Sequence, residues 1–186
     1  MSQRVQDLSK FRLPPEFRGR SAVIVQLWWI VQATIFGMSP QFLYGWRNWL
    51  LRCFGAKIGK DVLIRPTVRI TYPWKLRVGD RSWVGDYAGL YTLGEITIGA
   101  DAVVSQHAYL CTGSHDMGAV GFDIYAMPIV INDEAWVAAG AFIQPGLTIG
   151  RGSVIGARSI VTRDTKPFKV YLGSPAVEVG DRRKNN

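Results

Sequence analysis

The chain contains two histidines and two cysteines, so its means of proton transfer and nucleophilic attack are few. His115 stands in the run Thr112-Gly-Ser-His-Asp116, and the other histidine is His107. An imidazole titrates near neutrality, which suits it to take the proton of a hydroxyl as that oxygen attacks a carbonyl. A base so placed typically contributes about 10²–10⁴-fold. Cys111 with His115 is a conceivable nucleophile–base pair, and Asp116 could orient the imidazole or cap a turn. Cys53 and Cys111 form neither a disulfide framework nor a zinc-ligand pattern. They read as buried or half-buried thiols in a reducing cytoplasm.

The elements that position these groups follow from a period of six. Aliphatic residues recur at Ile131, Val137, Ile143, Ile149, Ile155 and Val161, and upstream at Ile58, Ile64, Ile70, Val78, Val84, Leu90, Ile98, Val104 and Leu110. Small residues (Ala135, Ala141, Ser153, Ser159) recur four places after an aliphatic one. A helix requires apolar spacings of three and four, and a free-standing strand requires two. Six fits a solenoid in which each unit supplies a short strand and a corner, three units making one triangular coil. The frame slips by two residues near Pro73–Lys75 and near Gly94–Ile96, as turn insertions would. It is lost between Ser114 and Pro128, so residues 114–128 read as a protruding loop. A loop of that length in a tight repeat is more often functional than accidental. His115 sits in it. His107 falls mid-coil, where it reads as a side chain on a flat face. The 20 glycines suit a chain that turns a corner every few residues.

The 186 residues suit one compact unit: an amino-terminal helical and apolar segment over 1–56, the solenoid over 57–166, and a carboxy-terminal tail over 167–186. Charge is uneven. Residues 1–60 hold nine bases against two acids, +7 of a net +8. Such an excess points to nucleic acid or to an anionic membrane surface, and the absence of any nucleic-acid-binding motif disfavours the former. Ser21 to Trp46 carries no charge and is rich in tryptophan, yet its longest apolar run falls short of the ~20 residues that cross a bilayer. A cleaved signal peptide is a poor match. Two helices broken at Gly37–Pro40 are expected. They could cap the first coil, as every solenoid requires. They could equally lie on a membrane through residues 21–54, with Trp28 and Trp29 at the headgroups and Arg47 and Arg52 facing anionic lipid. The expected location is cytoplasmic, or peripheral at the inner face of the cytoplasmic membrane.

These six-residue repeats end in Gly173-Ser-Pro-Ala176, and Thr112 to Asp116 opens the insertion. Together they resemble the hexapeptide-repeat acyltransferases, and within them the colanic acid biosynthesis acetyltransferases. The segments that carry the likeness are Val25-Gln-Leu-Trp-Trp29, Gly55-Ala-Lys-Ile-Gly59, Ile70-Thr-Tyr-Pro-Trp-Lys75, Leu90 to Gly99 and Leu110 to Asp116. The resemblance implies a mainly β fold, a single-stranded left-handed parallel β-helix, an exception to the right-handed crossover rule. It also implies a homotrimer with active sites between subunits, and transfer of acetyl from acetyl-CoA directly to a hydroxyl of an exopolysaccharide sugar, free or lipid-linked. His115 matches the family's catalytic histidine.

For the donor, the resemblance places the pantetheine arm against backbone at Ala139 and Ala157, with Trp136 near the thioester. Thr162 and Arg163 fall near the nucleotide, where an arginine suits phosphate. The basic residue the family carries after its Pro–Ala motif is Val177 here, with Arg182, Arg183 and Lys184 as substitutes. For the acceptor, the family's Asn and Asp positions fall on Tyr87 and Thr92, with Asp86, Tyr91 and Glu95 as neighbouring substitutes and Asp116 at the base. No metal is expected. The alternatives are a non-catalytic solenoid scaffold, and a metal-dependent hexapeptide protein that would need three histidines for zinc, more than one subunit has.

Overall fold

An inward aliphatic residue at the same place in every coil strand is the structural cause of the six-residue period, and Leu76, Ile96 and Ile129 add a second inward residue to three strands of the first sheet. In the computed structural model, which describes residues 4–185, the chain forms a parallel β-solenoid of about six turns, preceded by two short helices. The first sheet stacks Lys57–Ile58, Leu76–Val78, Ile96–Ile98, Ile129–Ile131 and Thr148–Ile149. The second stacks Leu63–Ile64, Trp83–Val84, Val103–Val104, Trp136–Val137, Val154–Ile155 and Lys169–Gly173. The third stacks Arg69–Ile70, Gly89–Tyr91, Tyr109–Cys111, Phe142–Ile143 and Ile160–Val161.

Each sheet contributes one buried ladder. In the first, Ile58, Val78, Ile98, Ile131 and Ile149 are in register. In the second they are Ile64, Val84, Val104, Val137, Ile155 and Tyr171. In the third they are Ile70, Leu90, Leu110, Ile143 and Val161. All of these are buried, and their removal from water is the main favourable contribution to the fold. The small residues four places on fill the inside of the corners: Ala88, Ala102, Ala108, Ala135 and Ala141 are fully buried. Where serine replaces alanine its hydroxyl is bonded to backbone, as Ser153 Oγ to the Lys169 carbonyl at 3.0 Å. Gly79 marks a corner too close for any side chain, since a Cβ there would lie 2.5 Å from the Ala100 nitrogen of the next coil.

The first frame slip is a 3₁₀ turn at Pro73–Lys75. Residues 167–186, set apart above as a tail, add the strand Lys169–Gly173 to the second sheet. The chain then returns antiparallel over Ala176–Asp181, and Tyr171 closes the core at that end.

At the other end, helix α1 (Ala22–Val31) runs into a π-turn over Gln32–Phe36, and helix α2 (Tyr44–Cys53) follows the expected break. Trp28 lies fully buried between Phe36 and Phe54, and its Nε1 donates to the Ile70 carbonyl at 2.7 Å. Arg47 is fully buried as well. Its guanidinium donates to the carbonyls of Ile64, Pro40 and Gln41 and to Ser39 Oγ at 2.5–2.9 Å. Arg52 donates to the carbonyls of Ile58 and Gly59 at 2.8–3.1 Å. The expectation that Trp28 and Arg47 meet lipid is therefore corrected: both are buried and fasten the cap to the first coil, to which Arg52 is also bonded from an exposed position. Trp29 remains 43% exposed. Among the described residues no helix is long and apolar enough to cross a membrane.

Candidate active site

The segment that protrudes from the coil is an antiparallel hairpin over residues 113–126, with Gly113–His115 paired to Ile124–Ala126 and His115 opposite Ile124. Its base is tied to the solenoid by the buried Thr112, whose hydroxyl accepts from the Gly94 amide at 2.8 Å and donates to the Tyr91 carbonyl. Its tip is held by the amino-terminal segment, where the Asp7 amide donates to the Val120 carbonyl at 2.7 Å.

This frame orients the half-buried His115. Its Nδ1 lies 2.8 Å from the Phe122 carbonyl. A carbonyl can only accept, so Nδ1 carries the proton of the neutral ring and Nε2 keeps its lone pair. The imidazole stacks on the Phe122 ring, centroids 4.2 Å apart and planes 8° from parallel. Phe122 has φ 53°, a left-handed conformation, and the turn that imposes it brings its carbonyl and ring to the same histidine. The Phe11 ring is tilted to the imidazole at 50°, with its centroid 6.2 Å away.

Asp116 does not orient the ring. Its Oδ1 accepts from the Gly118 amide at 2.8 Å and caps the hairpin turn. Cys111 is half-buried, burial pushes its thiol pKa up, and its Sγ donates to the Gly113 carbonyl at 3.2 Å. A raised thiol pKa suppresses the thiolate that a nucleophilic role needs.

The other expected site residues divide between two edges of the prism. Along the edge after the second sheet, the Asp86 carbonyl accepts from the His107 amide, the Gln106 carbonyl from the Gly140 amide, and the Ala139 carbonyl from the Arg158 amide, at 2.9–3.0 Å. Asp86–Tyr87, Gln106–His107, Ala139–Gly140 and Ala157–Arg158 thus form one column. Tyr87 and His107 both have left-handed φ, at 57° and 58°, and their rings stack 5.1 Å apart at 11°. The face beside them carries a groove of about 840 Å³ bordered by Trp83, Asp86, Ser105, His107 and Trp136. Trp136 is 44% exposed, and its indole donates to Ser105 Oγ at 2.9 Å. Asp86 accepts from Arg65 and Thr67 at 2.8 Å each. Burial works against ionisation of this carboxyl, yet those two bonds hold its pKa below the usual range.

The edge after the third sheet carries His115, with Tyr91 before it and Thr162 and Arg163 two coils on. Arg163 is exposed and Thr162 half-buried. Tyr91 is half-buried and stacks on Tyr109, 6.1 Å between centroids. Thr92 is fully buried, its hydroxyl bonded to both the amide and the carbonyl of Tyr72 at 2.6 and 3.0 Å. It has no free polar atom for an acceptor, so its expected substrate role is corrected to a corner lock. Arg182, one of the expected phosphate substitutes, donates instead to the carbonyls of Glu134 and Gly152. Arg183 pairs with Asp181 at 3.3 Å, and the Lys184 side chain lies outside the described residues. Among the described residues, no group of His, Cys, Asp or Glu is placed to hold a metal ion.

Sequence reasoning missed Phe122, Arg65, Thr67 and Ser105, and set His107 aside. The spacing of one coil between Tyr87 and His107 carried the signal for their pairing. A backbone carbonyl such as that of Phe122 leaves no such trace.

No protein-family model matches the chain. It is 60% identical to the "Putative colanic acid biosynthesis acetyltransferase WcaF" of Escherichia coli (strain K12) over 96% of this chain and 98% of that one. Its structure superposes with TM-score 0.79 and 26% identity on a maltose O-acetyltransferase from Clostridium difficile 630, covering 88% of this chain and 90% of the other. The same fold is seen in the hexapeptide-repeat acetyltransferase VCA0836 of Vibrio cholerae O1 biovar eltor, solved with acetyl coenzyme A, at TM-score 0.79 and 23% identity over 89% of this chain and 92% of that one. The coil geometry and the near-complete match to WcaF agree: the chain belongs to the hexapeptide-repeat acyltransferases, with the colanic acid biosynthesis acetyltransferases among its relatives.

Proposed function

We propose that this enzyme moves an acetyl group from acetyl-CoA to a hydroxyl of a sugar in exopolysaccharide biosynthesis, by direct attack with His115 as general base. The observation that carries the reading is the Nδ1 bond to the Phe122 carbonyl, which leaves Nε2 as a lone-pair base on a rigid hairpin. As the sugar oxygen bonds to the thioester carbonyl carbon, Nε2 takes its proton. The tetrahedral intermediate then breaks its C–S bond, and the imidazolium returns the proton to the departing thiolate. The small side chains of Ala139 and Ala157 leave backbone open to the pantetheine arm, Trp136 flanks the thioester, and Thr162 and Arg163 meet the nucleotide. The acceptor ring lies over the Tyr87–His107 pair with Asp86 taking a hydroxyl hydrogen bond, and Tyr91 lines its far side. Colanic acid in the name of one relative and maltose in that of another support a carbohydrate acceptor.

The test offers acetyl-CoA with a panel of free and nucleotide-linked sugars. Acceptor-dependent release of coenzyme A with an alkali-labile ester product is expected. Transfer only to amines would overturn the assignment to hydroxyls.

Because the column at Ala139 and the hairpin of His115 lie on different edges, a complete site takes one edge from each of two subunits. A three-sided prism closes such contacts in a threefold ring. Light scattering should then give about three times the 20.7 kDa chain mass. A fully active monomer would refute the shared site.

A further inference from the structure

The cap over the first coil presents an apolar surface that the acyl-transfer chemistry does not use. Of the ten residues of α1 only Val25 and Trp28 are buried. Val23 (75% exposed), Ile30 (61%), Met38 (80%), Phe42 (76%) and Trp49 (52%) face outward, together with Leu27, Trp29, Ile35 and Trp46. Scattered exposed apolar residues are ordinary, but so many on one short helical cap, with Trp49 stacked on Trp46, mark a contact surface. It also has relief: Ile35, Met38, Leu43 and Trp46 border an apolar hollow of about 410 Å³.

The segment that builds this surface is basic. Residues 17–60 contain six bases and no acid. Arg47 and Arg52 are spent on backbone carbonyls. Arg20, at the start of α1, and Lys57 and Lys60, on the first coil, are exposed, and none forms an ion pair among the described residues. A tryptophan-bearing apolar face, a helix too short to span, and an unpaired basic margin are the ingredients of a helix that lies in a membrane interface.

We propose that the α1–α2 cap docks on an anionic lipid surface, inserting Ile30, Phe42 and Trp49 at headgroup depth while Arg20, Lys57 and Lys60 meet lipid phosphates. This differs from the arrangement expected from sequence: the buried Trp28 and Arg47 hold the cap together from behind, the exposed Arg52 is bonded to backbone carbonyls, and the lipid-facing groups are their exposed neighbours. The proposal does not rest on the catalytic assignment, and its readout is binding.

The test is co-sedimentation of the full chain with vesicles of phosphatidylcholine alone or containing phosphatidylglycerol. Binding is expected only to the anionic vesicles and should weaken as salt rises. The triple variant Ile30→Ser, Phe42→Ser, Trp49→Ser should lose at least tenfold in binding with its melting temperature unchanged. The double variant Lys57→Gln, Lys60→Gln should lose about 25-fold, at roughly fivefold per lysine. No binding by the unaltered chain, or equal binding to neutral vesicles, overturns the proposal. So does full binding by both variants. A cap that serves as a contact between copies of the chain would appear as loss of mass by light scattering in the triple variant, with vesicle binding absent throughout, and that result also overturns it. Should the triple variant fold poorly, hydrogen exchange on the unaltered chain decides: lipid must slow exchange in α1 and α2, and unchanged rates refute docking.

Discussion

Replacing His115 by alanine is expected to lower turnover by roughly 10²–10⁴, the usual contribution of a positioned general base. Acetyl-CoA should still bind with little change, because the proposed donor contacts are made by Trp136, Thr162, Arg163 and the backbone at Ala139 and Ala157, not by the His115 side chain. His107→Ala is the informative comparison. Its ring stacks on Tyr87 at the border of the groove, so its loss should act on acceptor KM and leave kcat within a few-fold. Cys111→Ser should likewise keep most of the rate, since burial holds that thiol in its protonated form. Single-turnover kinetics with each variant separates binding from chemistry. Equal losses of kcat from both histidine variants would sink the assignment of His115 as the base.

The solenoid was legible in the sequence because each two-residue strand turns one side chain inward, so the core is written as a strict period. In the structure the same period puts Asp86, Tyr87, Ala139 and Ala157 on one column, since each lies two or three places after an inward residue of the second sheet (Val84, Val137, Ile155). Thr92 shows where counting fails. It lies beside a frame slip, and the two extra residues turn its hydroxyl inward to Tyr72 instead of outward to a ligand. The hairpin was legible only as a loss of frame. Its order comes from antiparallel backbone pairing and from a contact between Asp7 and Val120, far apart in sequence, which composition does not encode. The same is true of the tautomer of His115, which is fixed by a main-chain oxygen.

Arg47 is the case in which composition pointed the wrong way, and it yields the largest expected change in stability. A basic residue between tryptophans reads as a lipid contact, yet its side chain is fully buried and donates to three carbonyls and a hydroxyl. Arg47→Ala would strand those acceptors without partners and open a void behind α2. An unsatisfied buried polar group costs about 1–3 kcal/mol, so the total loss should be on the order of 3–5 kcal/mol. For a domain of this size that corresponds to a fall in melting temperature of roughly 10 °C or more. Arg47→Lys keeps the charge but offers a single nitrogen in place of the planar fork, so it should recover only part of the loss. The damage should reach the groove: Tyr44 on α2 accepts from Arg65 Nη1 at 3.2 Å, and Arg65 in turn holds Asp86. A loosened cap should therefore weaken acceptor binding before it affects donor binding. Thermal melts and acceptor KM for the two variants check this. If Arg47→Ala melted within about 2 °C of the unaltered protein and instead lost vesicle binding, the guanidinium would belong to the lipid-facing surface after all, and its assignment as the internal clamp of the cap would be wrong.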